Sequence, residues 1–271
     1  MLIQITNTCH MGCPHCMDRA TPDPQHMTWS LVERSVAWAQ SLGVRTMLVS
    51  GGEPTCHPEW KRILDYCAER FMFVIVPTNG SWLETPIEED IVDLLRKHTN
   101  LRFQISSFPG LYREHTRITY AAPRFFRRLK EVGLKHRVTL ETDRALIDSK
   151  MLALGRACDD PALVHLAETA AGTTSCFSSV LVAAQRPLRE ALAIMESRGK
   201  FCHPLVDWRG SLHWAESWLC PAFAHVTEDD ATIAEKAHTW RPCGLCAGYR
   251  KLLANNEPKY LLAKLILGAP L

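Results

Sequence analysis

The chain has 271 residues, 46% of them hydrophobic and 22% charged, a balance that excludes a disordered or collagen-like protein. Lysine and arginine total 31 against 29 acidic residues, so composition gives no support for nucleic-acid binding. The sequence shows no secretory signal and no run of about 20 apolar residues. We therefore expect a cytoplasmic protein without a membrane partner, whose 11 cysteines stay reduced and serve metal binding or catalysis.

Short apolar runs alternate with helical patterns through the first half of the chain. We predict strands at 2–5, 45–49, 71–76, 101–106 and 135–140, and helices at 30–41, 58–70, 87–97 and 124–132. This alternation predicts an α/β fold with a parallel sheet, either doubly wound or closed toward a barrel. Residues 147–198 are predicted to be mostly helical, with a sixth strand near 177–183.

After residue 198 the composition changes. Residues 205–214 predict a β-hairpin that turns at Arg209-Gly210, and several tryptophans and cysteines surround it. We therefore predict two domains, 1–198 and a small Cys-rich α+β domain at 199–271.

Three cysteines follow the first predicted strand, namely Cys9, Cys13 and Cys16. Three thiolates on one loop can hold three irons of a 4Fe–4S cluster and leave the fourth iron open. A zinc knuckle with His10 or His15 as the fourth ligand is the alternative, and the spacing alone leaves both open.

Motifs at the ends of the next strands extend this pattern. Gly51-Gly52-Glu53-Pro54 ends the second strand, Thr78-Asn79-Gly80 the third and Ser106 the fourth. Together with Cys-x3-Cys-x2-Cys, they resemble the radical S-adenosylmethionine (SAM) superfamily. Its GGEP motif contacts the SAM amino group, and a serine after the fourth strand often faces SAM. The resemblance also assigns Asn79 to the SAM site, and Arg117 to the SAM carboxylate, as in some relatives.

The resemblance implies a partial (β/α)6 TIM-like barrel whose ligands bind at the carboxyl ends of the strands. It also implies the cofactors, a 4Fe–4S cluster and SAM. An electron from a donor such as flavodoxin or ferredoxin would cleave SAM to methionine and a 5′-deoxyadenosyl radical, which abstracts a substrate hydrogen. The protein binds and orients the reactants, and the cofactors do the difficult chemistry.

A second set of cysteines surrounds the predicted hairpin: Cys202, Cys220, Cys243 and Cys246. By itself this set suits a structural zinc ribbon. Beside the first set, it resembles the twitch domain, a shortened SPASM-like extension, with a spacing similar to that of 2-deoxy-scyllo-inosamine dehydrogenase. That resemblance implies a second, auxiliary 4Fe–4S cluster with four protein ligands.

Charged residues follow the fifth predicted strand, where Glu141, Asp143 and Arg144 are candidate catalytic residues. A carboxylate there can act as general base, although a solvated loop explains the same residues. We expect oxidation of a small sugar- or aminocyclitol-like molecule, with the auxiliary cluster accepting one electron. The alternative is crosslinking or side-chain oxidation of a peptide, against which we count the lack of a leader-binding segment before the first strand. A non-catalytic zinc or electron-transfer protein is a third reading.

Overall fold

The computed structural model describes residues 1–11, 24–107, 115–143, 164–167, 203–215 and 222–239. The strands in these ranges are β1 Leu2–Gln4, β2 Thr46–Ser50, β3 Phe73–Thr78, β4 Leu101–Ser107, β5 Val138–Asp143, β6 Val164–Ala167, β7 His203–Val206, β8 Ser211–Ala215 and β9 Ala224–His225. The α-helices are α1 Trp29–Ser41, α2 Trp60–Ala68, α3 Ile87–Lys97, α4 His115–Glu131 and α5 Asp230–Thr239.

The described strands form one sheet in the order β6-β5-β4-β3-β2-β1-β7-β8-β9. Strands β1 to β6 are parallel neighbours in chain order, and α1 to α4 connect the first five of them. This is the α/β architecture of a partial TIM-like barrel, so the predicted fold class is confirmed. The carboxyl ends of these parallel strands meet at one edge, where the predicted motifs stand.

Alternating side chains explain why these strands are buried on their helix side. Val74 and Val76 of β3 are fully buried, whereas Phe73, the first residue of the strand, is 45% exposed. On α2, Trp60, Ile63, Leu64 and Cys67 recur at helical spacing and belong to the same buried cluster. Apolar side chains at every second residue of the strand and at every third or fourth residue of the helix thus pack into one core between the sheet and its helices.

Several boundaries differ from the predicted ones. Helix α4 begins at His115 and runs through Pro123, although the sequence predicts a start after this proline. Interior proline costs about 3 kcal/mol. The buried side chains of Ile118, Phe125 and Leu129 continue one apolar face across it, and their packing outweighs that cost. At the other end, a short 3-10 turn at Lys135–Arg137 delays the start of β5 to Val138.

The sixth strand lies at Val164–Ala167, inside a segment predicted to be mostly helical. It pairs in parallel with β5, and the register places Glu141 opposite His165. Alternation of polar and apolar residues over four positions is too short a signal to identify such a strand from sequence. The strand predicted near 177–183 lies outside the described residues.

The predicted hairpin is confirmed as β7 and β8, which pair antiparallel around a turn at residues 207–210. Gly210 has a φ of +91°, and a Cβ there would lie 2.8 Å from a methyl carbon of Leu31. Strand β7 also pairs in parallel with β1, so the hairpin extends the barrel's sheet. The division into two domains stays a prediction. No described helix is both long and apolar enough to span a bilayer.

Candidate active site at the carboxyl ends of β1 to β3

The segment after β2 packs directly on the segment after β1. The Gly52 amide donates to the Thr6 carbonyl at 2.9 Å, and the Glu53 amide donates to the Thr8 carbonyl at 2.8 Å. A Cβ on Gly51 would lie 2.3 Å from the Thr6 oxygen, and one on Gly52 would lie 2.4 Å from the Thr8 oxygen. The two glycines are therefore required for a backbone contact within the protein, namely with the segment that leads into Cys9.

The loop that begins at Cys9 is closed at its base. The Thr6 hydroxyl donates to the Gln25 carbonyl at 2.9 Å, and the Gln25 amide donates to Asn7 Oδ1 at 2.6 Å. The Met27 amide adds a bond to the carbonyl at position 5 at 2.8 Å. These bonds fix the two ends of the loop beside β1, so Cys9, which follows the first of these ends, stays close to the end of that strand.

Cys9 lies in the part of this loop that the structure describes. Its Sγ accepts hydrogen bonds from the Met11 amide at 3.3 Å and from Asn79 Nδ2 at 3.4 Å. N–H donors favour a thiolate, which is the form of cysteine that binds metals. The chemistry of this donor set fits an iron–sulfur ligand. Cys13 and Cys16 lie outside the described residues, and so do Cys202, Cys220, Cys243 and Cys246.

Glu53 joins the ends of β2 and β3. Its fully buried carboxylate accepts hydrogen bonds from the hydroxyls of Thr55 and Thr78, both at 2.8 Å, and from the Asn79 amide at 2.8 Å. Burial raises the pKa of Glu53, and these hydrogen bonds offset part of that shift. Among the described residues, all the groups that donate hydrogen bonds to this carboxylate are thus neutral.

Thr78 connects this carboxylate to the hydrophobic core. Its hydroxyl donates to Glu53 and accepts a hydrogen bond from Trp82 Nε1 at 2.9 Å. The buried Trp82 ring packs edge-on against Phe103 and Phe125, with centroid distances of 6.1 and 5.1 Å. The sequence motifs predict Asn79 as a site residue but not Thr78 or Trp82. Thr78 could have been predicted, since it belongs to the Thr-Asn-Gly motif at the end of the third strand, whereas no sequence feature marks Trp82.

Cys56 stands at the rim of the site. Its Sγ lies 3.3 Å from Nε2 of His10, so the alternative zinc ligand His10 contacts another cysteine. Burial, followed by the negative charges of Glu53 and Cys9, raises the pKa of Cys56 to about 12. Cys56 is therefore a protonated thiol at neutral pH.

Those of the remaining predicted strand-end residues that the structure describes lie along the same edge. Pro54 opens a short 3-10 turn behind Glu53. The register places Ser106 opposite Glu141, which in turn stands opposite His165. Sequence analysis missed His165 because it did not predict β6. Asp143 ends β5, and Arg144 lies outside the described residues.

Arg117 contacts the loop after β3. Its guanidinium donates to the carbonyls of Ser81 at 2.9 Å and Leu83 at 3.0 Å. These bonds hold the loop that carries Trp82 against the start of α4. Contact between Arg117 and a SAM carboxylate stays a prediction.

The hairpin reaches the base of the Cys9 loop from the other side of β1. Trp208 Nε1 donates to Gln25 Oε1 at 2.9 Å. Beside it, the fully buried Asp207 carboxylate accepts from Arg209 Nη2 at 2.6 Å and from the Ser211 amide at 3.0 Å. Burial alone would raise the pKa of Asp207, but His213, whose Nε2 lies 3.5 Å from the carboxylate, and the hydrogen-bonded Arg209 outweigh it and lower that pKa.

A family model described as the Radical SAM superfamily matches residues 3–143, more than half of the chain. The PqqA peptide cyclase of Methylobacterium nodulans is 29% identical over 109 residues, which is 38% of this chain and 28% of the cyclase. The chain therefore matches under a third of that relative's length.

Two solved structures share the fold. Streptococcus suis SuiB bound to the precursor peptide SuiA superposes with a TM-score of 0.60 at 15% identity, covering 96% of this chain and 73% of SuiB. BtrN in complex with AdoMet and 2-DOIA superposes with a TM-score of 0.51 at 12% identity, covering 87% of this chain and 84% of BtrN. At these identities the likeness concerns the fold alone.

Proposed function

The chain belongs to the radical SAM superfamily of enzymes, and on that premise we propose that Cys9, Cys13 and Cys16 hold the 4Fe–4S cluster that binds SAM. The observation that carries this proposal is the environment of Cys9, whose sulfur receives two N–H donors at the carboxyl edge of the sheet. When bound, the cluster and SAM supply a 5′-deoxyadenosyl radical that abstracts a substrate hydrogen.

The chain's own residues would hold the reactants in place. Gly51 and Gly52 let the two strand ends approach, and Glu53 locks the second strand end to the third. We propose that SAM lies over this edge, along Asn79 and Ser106. Arg117 supports the site by holding the loop after β3.

We propose a peptide as the substrate. The likeness to the PqqA peptide cyclase and to SuiB, which was solved with a precursor peptide, supports this alternative more than the expected oxidation of a small molecule. The likeness to BtrN, solved with 2-DOIA, keeps a small sugar- or aminocyclitol-like substrate as the second candidate. In either case Glu141 is our candidate proton acceptor, because its register position lies between Ser106 and His165. Asp143 and Arg144 are its candidate partners.

The substrate class is tested by product formation. Short peptides encoded beside the gene are incubated with the reconstituted enzyme, SAM and dithionite, and both peptide mass and 5′-deoxyadenosine are measured. We expect a peptide mass change and transfer of deuterium from labelled peptide into 5′-deoxyadenosine. An aminocyclitol that gives this transfer while no peptide does would establish the second candidate instead. The triple variant that replaces Cys9, Cys13 and Cys16 by alanine is the matched control.

We further propose that residues 199–271 form a twitch-like domain in which Cys202, Cys220, Cys243 and Cys246 hold an auxiliary 4Fe–4S cluster. Such a cluster would accept the electron that remains after hydrogen abstraction, while a flavodoxin or ferredoxin in the cytoplasm would supply the first electron. Two cubane clusters give about eight irons per chain. Iron near four with one zinc per chain would support a zinc site.

Loss of the auxiliary site should separate two activities. We expect Cys220→Ala or Cys246→Ala to keep SAM cleavage and deuterium transfer but to lose oxidised product, because abstraction precedes departure of the electron. Full product yield from a folded variant without the second cluster would contradict this role.

A further inference from the structure

Resting on the proposed function, we propose that the side-chain amide of Asn79 donates a hydrogen bond to the Cys9 thiolate and thereby raises the reduction potential of the SAM-binding cluster. Asn79 Nδ2 lies 3.4 Å from Cys9 Sγ, a normal distance for an N–H···S bond. In this role Asn79 is a positioning residue that acts on the cluster through its ligand.

The orientation of the Asn79 amide is fixed by its other end. The Ser81 backbone amide donates to Asn79 Oδ1 at 2.8 Å, and only an oxygen can accept that bond. The nitrogen must therefore be the end that faces Cys9, and rotation of the amide by half a turn would lose both bonds.

The Asn79 backbone is fixed as well. Its amide donates to Glu53 Oε2 at 2.8 Å, and Glu53 is itself held by the hydroxyls of Thr55 and Thr78. Backbone and side chain of Asn79 thus occupy one position relative to the strand ends. A donor that hydrogen-bonds to a metal ligand needs this rigidity in order to influence the metal through that ligand.

The expected effect follows from charge. Reduction adds a negative charge to a cluster, and N–H donors to its sulfur ligands stabilise that charge, so they raise the reduction potential. The Met11 backbone amide is a second donor to Cys9, and only a proline, which would also restrict the loop backbone, would remove it. The Asn79 donor can be removed by a side-chain replacement.

The test compares two replacements of similar size. Asn79→Leu removes the donor, and Asn79→Asp replaces it with a carboxylate oxygen beside the thiolate. Midpoint potentials are measured by EPR-monitored redox titration without SAM, on protein of known iron content. We expect the potential to be lower in Asn79→Leu than in the wild type and lowest in Asn79→Asp.

Asn100→Asp is the matched control. Asn100 Nδ2 donates to the carbonyls of Ala68 and Phe71 at 2.8 and 2.7 Å, just before the amino end of β4. The same chemical change at that end of the sheet should leave the cluster potential unaltered. A purely structural role for Asn79 would likewise leave the potential unaltered.

Loaded Asn79 variants whose potentials equal that of the wild type would overturn the inference while leaving the proposed function intact. If the variants take up no cluster, the hydrogen bond is tested in the wild-type protein instead. Asparagine labelled with 15N at the side chain should then give a hyperfine coupling to the reduced cluster in pulsed EPR, and absence of this coupling would overturn the inference. A wild type that binds no iron would overturn the proposed function together with it.

Discussion

Two buried carboxylates flank β1 and behave in opposite ways. Glu53 follows β2 and Asp207 follows β7, the two strands that pair with β1. Both residues are fully buried. Burial raises the pKa of Glu53, whose donors are neutral, whereas His213 and Arg209 outweigh burial and lower the pKa of Asp207.

This difference in pKa shift accompanies a difference in role: one carboxylate stabilises a turn, and the other belongs to the candidate site. The described partners of Asp207 belong to its own hairpin, so this carboxylate stabilises a local structure. Glu53 instead joins the ends of two strands and fixes Asn79 beside Cys9. Among the described residues no cation pairs with Glu53; burying a carboxylate in this way is costly, and such groups concentrate at functional sites.

The largest effect should come from adding a side chain at Gly52, the residue before Glu53. In Gly52→Ala, the new Cβ would lie 2.4 Å from the Thr8 carbonyl oxygen, so the segment before Cys9 must move. We expect loss of most iron uptake and of SAM cleavage, measured by iron assay and by 5′-deoxyadenosine formation.

Gly133→Ala serves as the control for this change. Gly133 has a positive φ, +74°, unlike Gly52, but a Cβ there would meet nothing within 4 Å. Left-handed backbone costs an alanine about 1–2 kcal/mol, so stability should fall while iron uptake is kept. Equal iron uptake by the two variants would contradict the role assigned to Gly52.

Neutralising the two carboxylates should affect stability unequally. Asp207→Asn leaves Arg209 and His213 without their charged partner, and we expect a loss of about 1–3 kcal/mol, moderated because Arg209 is half-exposed. Glu53→Gln leaves no cation of the described residues unpaired, and relief of desolvation offsets one unfavourable donor contact, so we expect a loss of about 1 kcal/mol or less. Urea unfolding measures both values, and a larger loss in Glu53→Gln would reverse the comparison.

The smallest effect is the pH dependence of stability. A raised pKa means that folded Glu53 holds its proton more tightly than the unfolded chain, so its contribution to stability falls as pH rises above about 4.5. A lowered pKa means that the contribution of Asp207 is present above 3.8 and is lost as pH falls through the lowered value. Glu53→Gln should abolish the first dependence and Asp207→Asn the second. Dependences of the same sign would contradict the assignment.

Much of the fold was predictable because its signals are local. Helix α3 occupies the predicted range Ile87–Lys97, and the hairpin turns where Arg209-Gly210 predicts. Strand β6 was missed because its pairing with β5 is a tertiary effect, and the start of α4 was missed because packing overrides Pro123.

The motifs of the site could be predicted from the sequence, but the contacts and hydrogen bonds that join them could not. Its strand-end positions follow from the order of the motifs along the chain. The sequence does not reveal that Gly51 and Gly52 contact the Cys9 segment, or that Thr78 and Trp82 anchor Glu53. Those contacts join residues that are distant in sequence, so only the assembled fold brings them together.

Cleavage of SAM by the reduced protein tests the central claim most directly. Wild-type protein and the triple variant that replaces Cys9, Cys13 and Cys16 by alanine are reconstituted anaerobically, mixed with SAM and dithionite, and assayed for 5′-deoxyadenosine by mass spectrometry. Because the sequence predicts that these cysteines lie on a loop after the first strand, we expect the variant to keep its circular dichroism spectrum. The account predicts 5′-deoxyadenosine from the wild type and none from the folded variant. Equal amounts from both proteins would contradict it.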